Sequence, residues 1–356
     1  MLNILELDQI IFSYSDICTK LILDLTYPNK FFVDKFTYHP CQEAAKHGYL
    51  NLLIWLFNHG FHWNEDTCAL TAGNGHFEVL KYLRNNGCPW NERTNSLAAL
   101  HGDLEILIWL KEQNCPISDS MCAHAASNGH LNVLCWLKDN GCDIGTVCKI
   151  GHNDVYRLCH HCDTRACNNA AENGHLDVLI WLADNNAKYD RERVCELAAS
   201  NGHLNILIWT KKNNLYSDRY IIGYAACNGH LEILKWINNY SNRKITSSRI
   251  LYEAASGGHL AVLVWAIDNG CKYDSTFYYG AIGNGHLEVL KWCKNIIDPS
   301  DIHICRVAAS NNQLDILIWA RENGCEWDSD TCVEGHLKPA IHKYLIKNNC
   351  PCNKYY

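Results

Sequence analysis

The amino-acid sequence predicts an all-α solenoid of short helix-turn-helix repeats. The tetrapeptide Asn-Gly-His-Leu, or Asn-Gly-His-Phe, recurs along the chain, most often at a distance of 27 residues, as between Gly202 and Gly229. Self-similarity at a fixed period of this size is the signature of a solenoid. The apolar residues on both sides of the tetrapeptide have helical spacing. The intact copies contain Gly75, Gly129, Gly174, Gly202, Gly229 and Gly285, and degenerate copies are centred on Gly48, Gly102, Gly151, Gly258, Asn312 and Gly335.

The first helix of each repeat is predicted by its start signal and by its small residues. Asn64 precedes two acidic residues in one copy. An Asn side chain accepts a hydrogen bond from a free backbone N–H at a helix start, and acidic residues suit the positive end of the helix dipole. Small residues such as Ala98 and Ala99 stand just before the tetrapeptide and let neighbouring helices approach closely.

A second helix follows the glycine of the tetrapeptide, which is called the turn glycine below. The Asn-Gly pair ends the first helix because both residues tolerate positive φ. An aromatic residue stands seven positions after the turn glycine in ten copies. We interpret it as a rung of the core between repeats, not as a ladder for nucleobases or sugars, and expect its truncation to Ala to cost about 3–5 kcal/mol. The ten residues are Trp55, Tyr82, Trp109, Trp136, Trp181, Trp209, Trp236, Trp265, Trp292 and Trp319.

The histidine after the turn glycine is predicted to be structural. Successive histidines are one repeat apart, which is roughly 10 Å in a stacked solenoid and too far for them to share a zinc ion. We expect each imidazole to bond a neighbouring backbone carbonyl instead. The set comprises His76, His130, His175, His203, His230, His259 and His286.

Eleven of the 21 cysteines fall on two repeated positions. Cys41, Cys68, Cys122, Cys167, Cys195 and Cys305 stand seven residues before the turn glycine, and Cys88, Cys115, Cys142, Cys271 and Cys325 stand thirteen after it. A cysteine at a repeated packing position behaves as a small, readily buried hydrophobe. We therefore expect thiols, not disulfides, and an intracellular, cytoplasmic location.

Composition and motifs exclude several function classes. The net charge is −7 and the pI is about 6.2, unlike the basic balance of a nucleic-acid binder. No apolar run reaches the length of a membrane span, and Glu6 and Asp8 interrupt the N-terminal apolar stretch, which argues against a secretory signal. No Walker P-loop, complete dinucleotide fingerprint, nucleophile elbow or HExxH motif occurs. We expect no enzyme activity, no catalytic residue, no cofactor and no metal.

Helix-turn-helix repeats with Ala-Ala pairs, Gly-His at the turn and an apolar second helix ending in Asn-Gly resemble the ankyrin repeat. The segments 231–236 (Leu-Glu-Ile-Leu-Lys-Trp) and 287–292 (Leu-Glu-Val-Leu-Lys-Trp) look especially like the Cys- and Trp-rich ankyrin arrays of giant viruses of amoebae. The resemblance covers about residues 41–350. It implies that the protein binds other proteins and catalyses no reaction.

The repeat is about six residues shorter than the ankyrin repeat of about 33 residues. The gap falls before the first helix, where the ankyrin family carries its β-hairpin and its Thr-Pro-Leu-His sequence, and neither is present here. We expect short loops in place of the hairpins. A partner should then rest mainly on the concave face of the first helices.

Three segments are expected along the chain. Residues 1–40 form a helical N-terminal cap, residues 41–335 form the repeat array, and residues 336–356 form a C-terminal cap. A damaged copy lies near residues 143–167 and contains Cys159-His160-His161-Cys162. We interpret this cluster as incidental to a deletion, because adjacent ligands rarely close a tetrahedral zinc site, and a zinc module is the alternative.

The N-terminal segment allows two interpretations. An amphipathic stretch from Leu5 to Tyr14 is followed by a Leu-rich stretch and then by Asn29-Lys30-Phe31-Phe32. This order faintly resembles an F-box, which would recruit a ubiquitin-ligase subunit through residues 1–38, although the usual opening Leu-Pro is absent. A helical cap for the solenoid explains the same residues.

The expected function is a non-catalytic scaffold, viral in origin and monomeric, that binds host or viral proteins and neither nucleic acid nor membranes. A substrate adaptor of a ubiquitin ligase is the alternative. Large polar or aromatic residues on the first helices are suitable partner anchors, and ordinary solvated positions are the other interpretation. Arg93, Arg165, Arg193 and Arg249 stand nine residues before the turn glycine, and Glu196, Tyr252, Tyr279 and Arg306 stand six before it.

Overall fold

The computed structural model describes residues 39–142, 164–216, 220–240, 245–273, 277–294 and 302–351. These ranges contain 22 α-helices and no β-strand. The odd-numbered helices, called first helices, are α1 Pro40–Lys46, α3 Glu65–Gly73, α5 Glu92–His101, α7 Met121–Ser127, α9 Arg165–Asn173, α11 Arg191–Ser200, α13 Ile221–Cys227, α15 Arg249–Ser256, α17 Phe277–Asn284, α19 Ile302–Ser310 and α21 Ser329–Gly335. The even-numbered helices, called second helices, are α2 Leu50–Asn58, α4 Phe77–Asn85, α6 Leu104–Glu112, α8 Leu131–Asp139, α10 Leu176–Asp184, α12 Leu204–Lys212, α14 Leu231–Tyr240, α16 Leu260–Asp268, α18 Leu287–Cys293, α20 Leu314–Glu322 and α22 Pro339–Lys347.

The helices pack as repeated pairs. A first helix contacts the second helix that follows it, as α3 contacts α4 and α15 contacts α16. First helices also contact the next first helix along the chain, as in the series α1, α3, α5, α7 and in the series α11, α13, α15, α17, α19, α21. The predicted fold class, an all-α helical repeat, is therefore confirmed.

The chain divides into two compact units. The first unit holds the described residues up to Ala170 together with Asp177–Lys188. The second unit holds Ala171–Leu176 and the described residues from Tyr189 onward. Residues 143–163, which include the predicted damaged copy and the Cys159–Cys162 cluster, lie outside the described residues, as do residues 1–38.

The turn between the helices of a pair requires left-handed backbone. Gly75 has φ of +73° and Gly202 has φ of +82°. Asn312 stands at the same position in a degenerate copy and adopts φ of +59°, which an Asn tolerates better than most residues. Gly335, which the sequence suggested as a turn glycine, is instead the last residue of α21, and its turn follows at His336 and Leu337.

Start signals of four first helices act as the sequence predicts. The Asn64 side chain accepts from the Thr67 backbone N–H at 3.3 Å, and the Thr67 hydroxyl accepts from the Asn64 N–H at 3.2 Å. This reciprocal arrangement satisfies two backbone donors that a helix start leaves without partners. Asn91 and Asp328 each accept one backbone capping bond, and Asp190 accepts two.

The buried core runs between the two helices of each pair. Ala98 and Ala99 of α5 are fully buried, as are Leu107 and Leu110 of α6. Because Ala adds little bulk, neighbouring first helices can pack closely at these positions. The Ala-Ala pair recurs in most copies, and a fully buried leucine stands five residues after the turn position in ten copies, whereas the place of Leu110 is taken by residues such as Thr210, Ala266 and Cys293 elsewhere.

The aromatic residue seven positions after the turn glycine is half-buried, so its prediction as a core rung is wrong in nine of the ten copies. Only Trp319 is buried, at 8% exposure. The fully buried residue in each second helix is an apolar neighbour of the aromatic residue, such as Leu107 beside Trp109. The aromatic residues form the edge of the core and contact aromatic side chains at other positions, as Trp109 contacts Trp90 at 5.8 Å between ring centroids.

Candidate functional site

The histidine after the turn glycine joins each helix pair to the pair before it. Nε2 of His230 lies 2.8 Å from the carbonyl oxygen of Ser200. Because a carbonyl oxygen only accepts, Nε2 carries the proton and donates. The same bond recurs at 2.9–3.0 Å in four other copies, and its acceptor is always the carbonyl oxygen of the residue two positions before the preceding turn glycine. The donors are His76, His130, His203 and His286. The structural interpretation of these histidines is confirmed.

Two degenerate copies replace this contact by other means. Gln313 stands at the histidine position and donates from Nε2 to the carbonyl oxygen of Gly283 at 3.2 Å. Asp103 stands at the histidine position in another copy, where its side chain accepts from the Ile106 N–H and caps α6. In that copy the ring of His101 lies against Gly75 in place of the missing histidine ring. No group of three or more potential metal ligands was found among the described residues.

The repeated cysteines fill packing positions, as the sequence predicts. Buried residues at these positions are Cys41, Cys68, Cys167, Cys195, Cys305, Cys88, Cys115, Cys271 and Cys325. Burial raises the pKa of the Cys167 thiol to about 12, which keeps it protonated at neutral pH. Fifteen of the described cysteines are free thiols, whereas Cys332, which lies at neither repeated position, is disulfide-bonded. The expectation of thiols is therefore wrong at Cys332.

The structure places two of the eight predicted anchor residues in the first unit. Arg93 on α5 forms an ion pair with Asp66 on α3, and both side chains are largely exposed. Asp66 also stands nine residues before its turn glycine, so the pair joins one repeat position in two successive copies. Arg165 on α9 is exposed, and its charge, after burial, helps to lower the pKa of His124.

The other six anchors lie on successive first helices of the second unit. Arg193 bonds Glu196 within α11 at 3.3 Å. Arg306 on α19 pairs with Asp330 and, at 3.7 Å, with Asp328. The remaining three are Arg249 and Tyr252 on α15 and Tyr279 on α17. Since α11, α13, α15, α17 and α19 contact one another in this order, the anchors follow one series of stacked helices.

Exposed tyrosines on these helices were not all predicted. Tyr220 is the N-cap residue of α13 and is 39% exposed. Tyr224 lies within α13 and is 37% exposed, and Tyr252 on α15 is 43% exposed. We call these three residues, with the half-buried Tyr279, the tyrosine patch. Tyr220 shares the repeat position of the predicted arginines, and that signal was sufficient to find it. Tyr224 stands five residues before its turn glycine, where the sequence predicts no partner anchor.

An ion pair lies beside the tyrosine patch. The Arg249 side chain is 71% exposed and bonds Glu253 through Nε at 3.2 Å. Glu253 in turn reaches over α13, because a side chain at Gly223 would meet its carboxylate at 3.8 Å. Glu253 therefore lies against α13 as well as beside Arg249. The surface combines large aromatic area with paired, partly exposed charges.

Comparison with known proteins gives one solved structure to report. No protein-family model matches the chain, and no curated protein matches it. The chain is similar to the crystal structure of the human ASB11 ankyrin repeat domain, with 18% sequence identity, a TM-score of 0.38, and coverage of 51% of this chain and 86% of that domain. At that identity and TM-score the likeness adds nothing to the helical repeats that the structure shows directly. None of the described helices combines the length and the apolar character that a membrane crossing needs.

Proposed function

We propose that the protein is a non-catalytic scaffold that binds another protein on the exposed surface of α11, α13, α15, α17 and α19, called the first-helix face below. The observation that carries this proposal is the tyrosine patch. Tyrosine offers a large contact area at low entropic cost, and it is enriched at the centres of protein interfaces. Three tyrosines exposed by 37–43% on adjacent short helices favour such a surface.

The flanking arginines suit the rim of the same interface. An exposed ion pair contributes little stability, on the order of 0–1 kcal/mol, so a partner can displace it at small cost. Arg249 uses only Nε toward Glu253 among the described residues, which leaves its two terminal nitrogens available for a partner carboxylate. Two parallel N–H···O bonds from such a guanidinium fix orientation as well as affinity.

The test is affinity purification of the full chain from host cells, followed by measurement of the affinity of the recovered partner. We expect Tyr252→Ala to weaken binding at least about tenfold, which corresponds to about 1.4 kcal/mol. Tyr240→Ala is the matched control, because Tyr240 is 63% exposed but lies on the second helix α14. Equal affinities for both variants and the unchanged protein would exclude the first-helix face as the binding site.

The adaptor function in ubiquitin ligation depends on residues 1–38, which lie outside the described residues. It predicts that a ligase subunit copurifies with the full chain and disappears when these residues are deleted. Recovery of the same partners by both forms would leave the plain scaffold. The two functions are compatible with one binding face, so the tyrosine variants and the deletion answer separate questions.

We further propose a monomer of viral origin in the cytoplasm of the host cell. The free thiols at fifteen described positions favour a reducing compartment. Light scattering of the purified chain measures the oligomeric state, and the mass of a dimer would contradict the proposal of a monomer. The zinc alternative concerns Cys159–Cys162, outside the described residues, and zinc at background level in the purified protein would dismiss it.

A further inference from the structure

Two repeated positions face each other in several of the described helix pairs. We call the position seven residues before the turn glycine the helix position and the position thirteen after it the return position. Asn95 at the helix position donates to the carbonyl oxygen of Cys115 at the return position at 3.2 Å. The Cys195 thiol lies 3.9 Å from the carbonyl oxygen of Leu215, and the Cys305 thiol lies 4.0 Å from that of Cys325.

The return-position thiol is held beside the start of the first helix. Cys88 donates from Sγ to the carbonyl oxygen of Asn64 at 3.3 Å. Asn64 is the N-cap of α3, and Cys68 lies one helical turn further along the same helix. Cys115 makes the equivalent contact with the Asn91 carbonyl oxygen at 3.7 Å. This geometry brings the return position against the helix position of its own copy.

Thiols occupy both positions in three copies, and in two of them both thiols are fully buried, whereas Cys122 and Cys142 in the third are half-buried. Cys68 and Cys88 form one pair and Cys305 and Cys325 the other, and all four are fully buried. The hydrogen bond with Cys88, together with burial, raises the pKa of Cys68, and Cys325 acts in the same way on Cys305. Burial and the neighbouring thiol therefore keep Cys68 and Cys305 protonated at neutral pH.

The surroundings of the two pairs are duplicated as well. Arg84 donates from Nη1 to the Cys88 carbonyl oxygen at 2.8 Å and lies 4.1 Å from the ring centroid of Trp90. Arg321 donates to the Cys325 carbonyl oxygen and lies 4.1 Å from Trp327. Each guanidinium thus fixes the backbone of the return-position cysteine from the solvent side. The two units contain the same local arrangement once each.

We propose that Cys68–Cys88 and Cys305–Cys325 are modification sites that convert from dithiol to intramolecular disulfide in the presence of a small disulfide such as oxidised glutathione. A disulfide needs Cα atoms about 4.4–6.8 Å apart, and the contacts of the helix position with the return position bring the two segments together. A disulfide is uncharged and so fits a buried, apolar position. Closing a loop between α3 and the segment after α4 also restricts the unfolded chain, which stabilises that copy.

The reaction balances as a thiol–disulfide exchange. One cysteine of the pair, as its thiolate, attacks a sulfur of oxidised glutathione, forms a mixed disulfide and expels a glutathione thiolate. The second cysteine then attacks the protein sulfur of the mixed disulfide and expels the other glutathione. The two thiol protons end on the two glutathione molecules. Burial disfavours the thiolate, so the exchange is expected to be slow and to require local opening.

The test is equilibration of the full, native chain in glutathione buffers of increasing oxidation, followed by alkylation of free thiols and mass spectrometry of peptides. We expect linked peptides for both pairs. Cys167 and Cys195 are equally buried thiols at the helix position, but Ala187 and Leu215 stand at their return positions. When the oxidised protein is unfolded and treated with the alkylating reagent, the peptides of these two cysteines should therefore be recovered alkylated and not linked. They serve as controls within the same molecule.

The variant Leu215→Cys tests the geometry independently. It places a thiol at the return position opposite Cys195, and a third linked pair is expected under the same buffers. The proposal is overturned if neither native pair links at any glutathione ratio, or if Cys68 links to residues other than Cys88. Links at Cys167 or Cys195 of the unchanged protein would show non-specific oxidation and would equally reject it.

Discussion

At the scale of single residues, the turn glycines meet two requirements at once. Their backbone is left-handed, and the ring of a histidine from the next copy lies where a side chain would start. A Cβ at Gly202 would stand 2.8 Å from the His230 ring. Glycine is thus required by conformation and by the close approach of a neighbour, whereas at Gly270 it is required by conformation alone, because nothing lies within 4 Å.

The difference between these two glycines can be measured. Gly270→Ala should lower the free energy of unfolding by about 1 kcal/mol, the strain of a left-handed alanine, and Gly202→Ala by about 2–3 kcal/mol, because the imidazole must also move. Urea unfolding of both variants gives the comparison. Equal decreases in the free energy of unfolding would mean that the His230 ring can move away from residue 202 without loss of stability.

The bond made by that ring predicts which substitution is tolerated. His230→Ala should lower the free energy of unfolding by about 1 kcal/mol through loss of the bond to Ser200. His230→Gln should recover much of this loss, because Gln313 makes the same contact in another copy. Urea unfolding of the two variants decides the matter, and a Gln variant as unstable as the Ala variant would contradict the assignment of Nε2 as the donor.

At the scale of the helix, the position of the aromatic residue at the edge of the core separates two kinds of substitution. Trp265 is half-buried, and Tyr82 stands at the same position elsewhere. Trp265→Tyr should therefore change the free energy of unfolding by less than about 1 kcal/mol. Leu263, two residues earlier, is fully buried, and Leu263→Ala should cost about 2–5 kcal/mol.

Thermal unfolding followed by circular dichroism compares the two α16 variants under one condition. The order of the losses, Leu263→Ala larger than Trp265→Tyr, is the checked quantity. A larger loss for Trp265→Tyr would restore the interpretation of this position as a core rung. It would also imply that the exposed edge of the indole is covered in solution by another part of the protein.

The helices were predictable from the sequence, and the burial of their aromatic residues was not. Apolar spacing, the Asn64 cap and the Asn-Gly turn place both helices of each pair. Residues seven and eight positions after the turn glycine, such as Trp109 and Leu110, are only about 100° apart around the helix. Periodicity marks both as apolar, but only the packing of the neighbouring copy decides which of them faces the interior.

The partner surface was predictable in part, for a related reason. The repeat position identified Arg193, Arg249 and Tyr252 as exposed on first helices. It did not indicate that Arg93 pairs with Asp66 from the preceding copy, because that contact depends on how adjacent helices align. Nor did it select Tyr224, whose 37% exposure depends on how α13 packs against its neighbours and not on its repeat position.

At the scale of the whole molecule, each of the two units is a series of equivalent pairs, and its histidines form a column. Burial lowers the pKa of His259, and the charges of its neighbours His230 and His286 lower it further, against the opposing effect of its bond to the Cys227 carbonyl. Protonation of His259 places a second N–H, at Nδ1, against Gly229, where the described residues offer it no acceptor.

This column predicts loss of stability in mild acid. The folded-state pKa of His259 lies below its ordinary value of 6.5, so the unfolded chain binds more protons as the pH falls through 6.5. The free energy of unfolding should therefore be constant above that value and decrease below it. Urea unfolding between about pH 7.5 and about pH 5.5 tests this, a range in which histidine is the main titrating side chain.

The variant His259→Gln provides the control for the pH experiment. It keeps a donor for the Cys227 carbonyl but cannot be protonated, so the decrease in stability below the histidine pKa should become shallower. An unchanged slope would assign the acid sensitivity to other groups, such as His124, whose pKa is also lowered by burial.

The joint between neighbouring pairs is split between two copies of one sequence motif: the glycine and the carbonyl belong to one copy and the histidine to the next. A gene duplication that inserts one full period therefore supplies both halves of every new joint, wherever the period begins. An insertion of any other length separates them. The array can thus gain or lose members in evolution without inventing an interface, while each member's exposed residues, such as those around Tyr252, are left to vary.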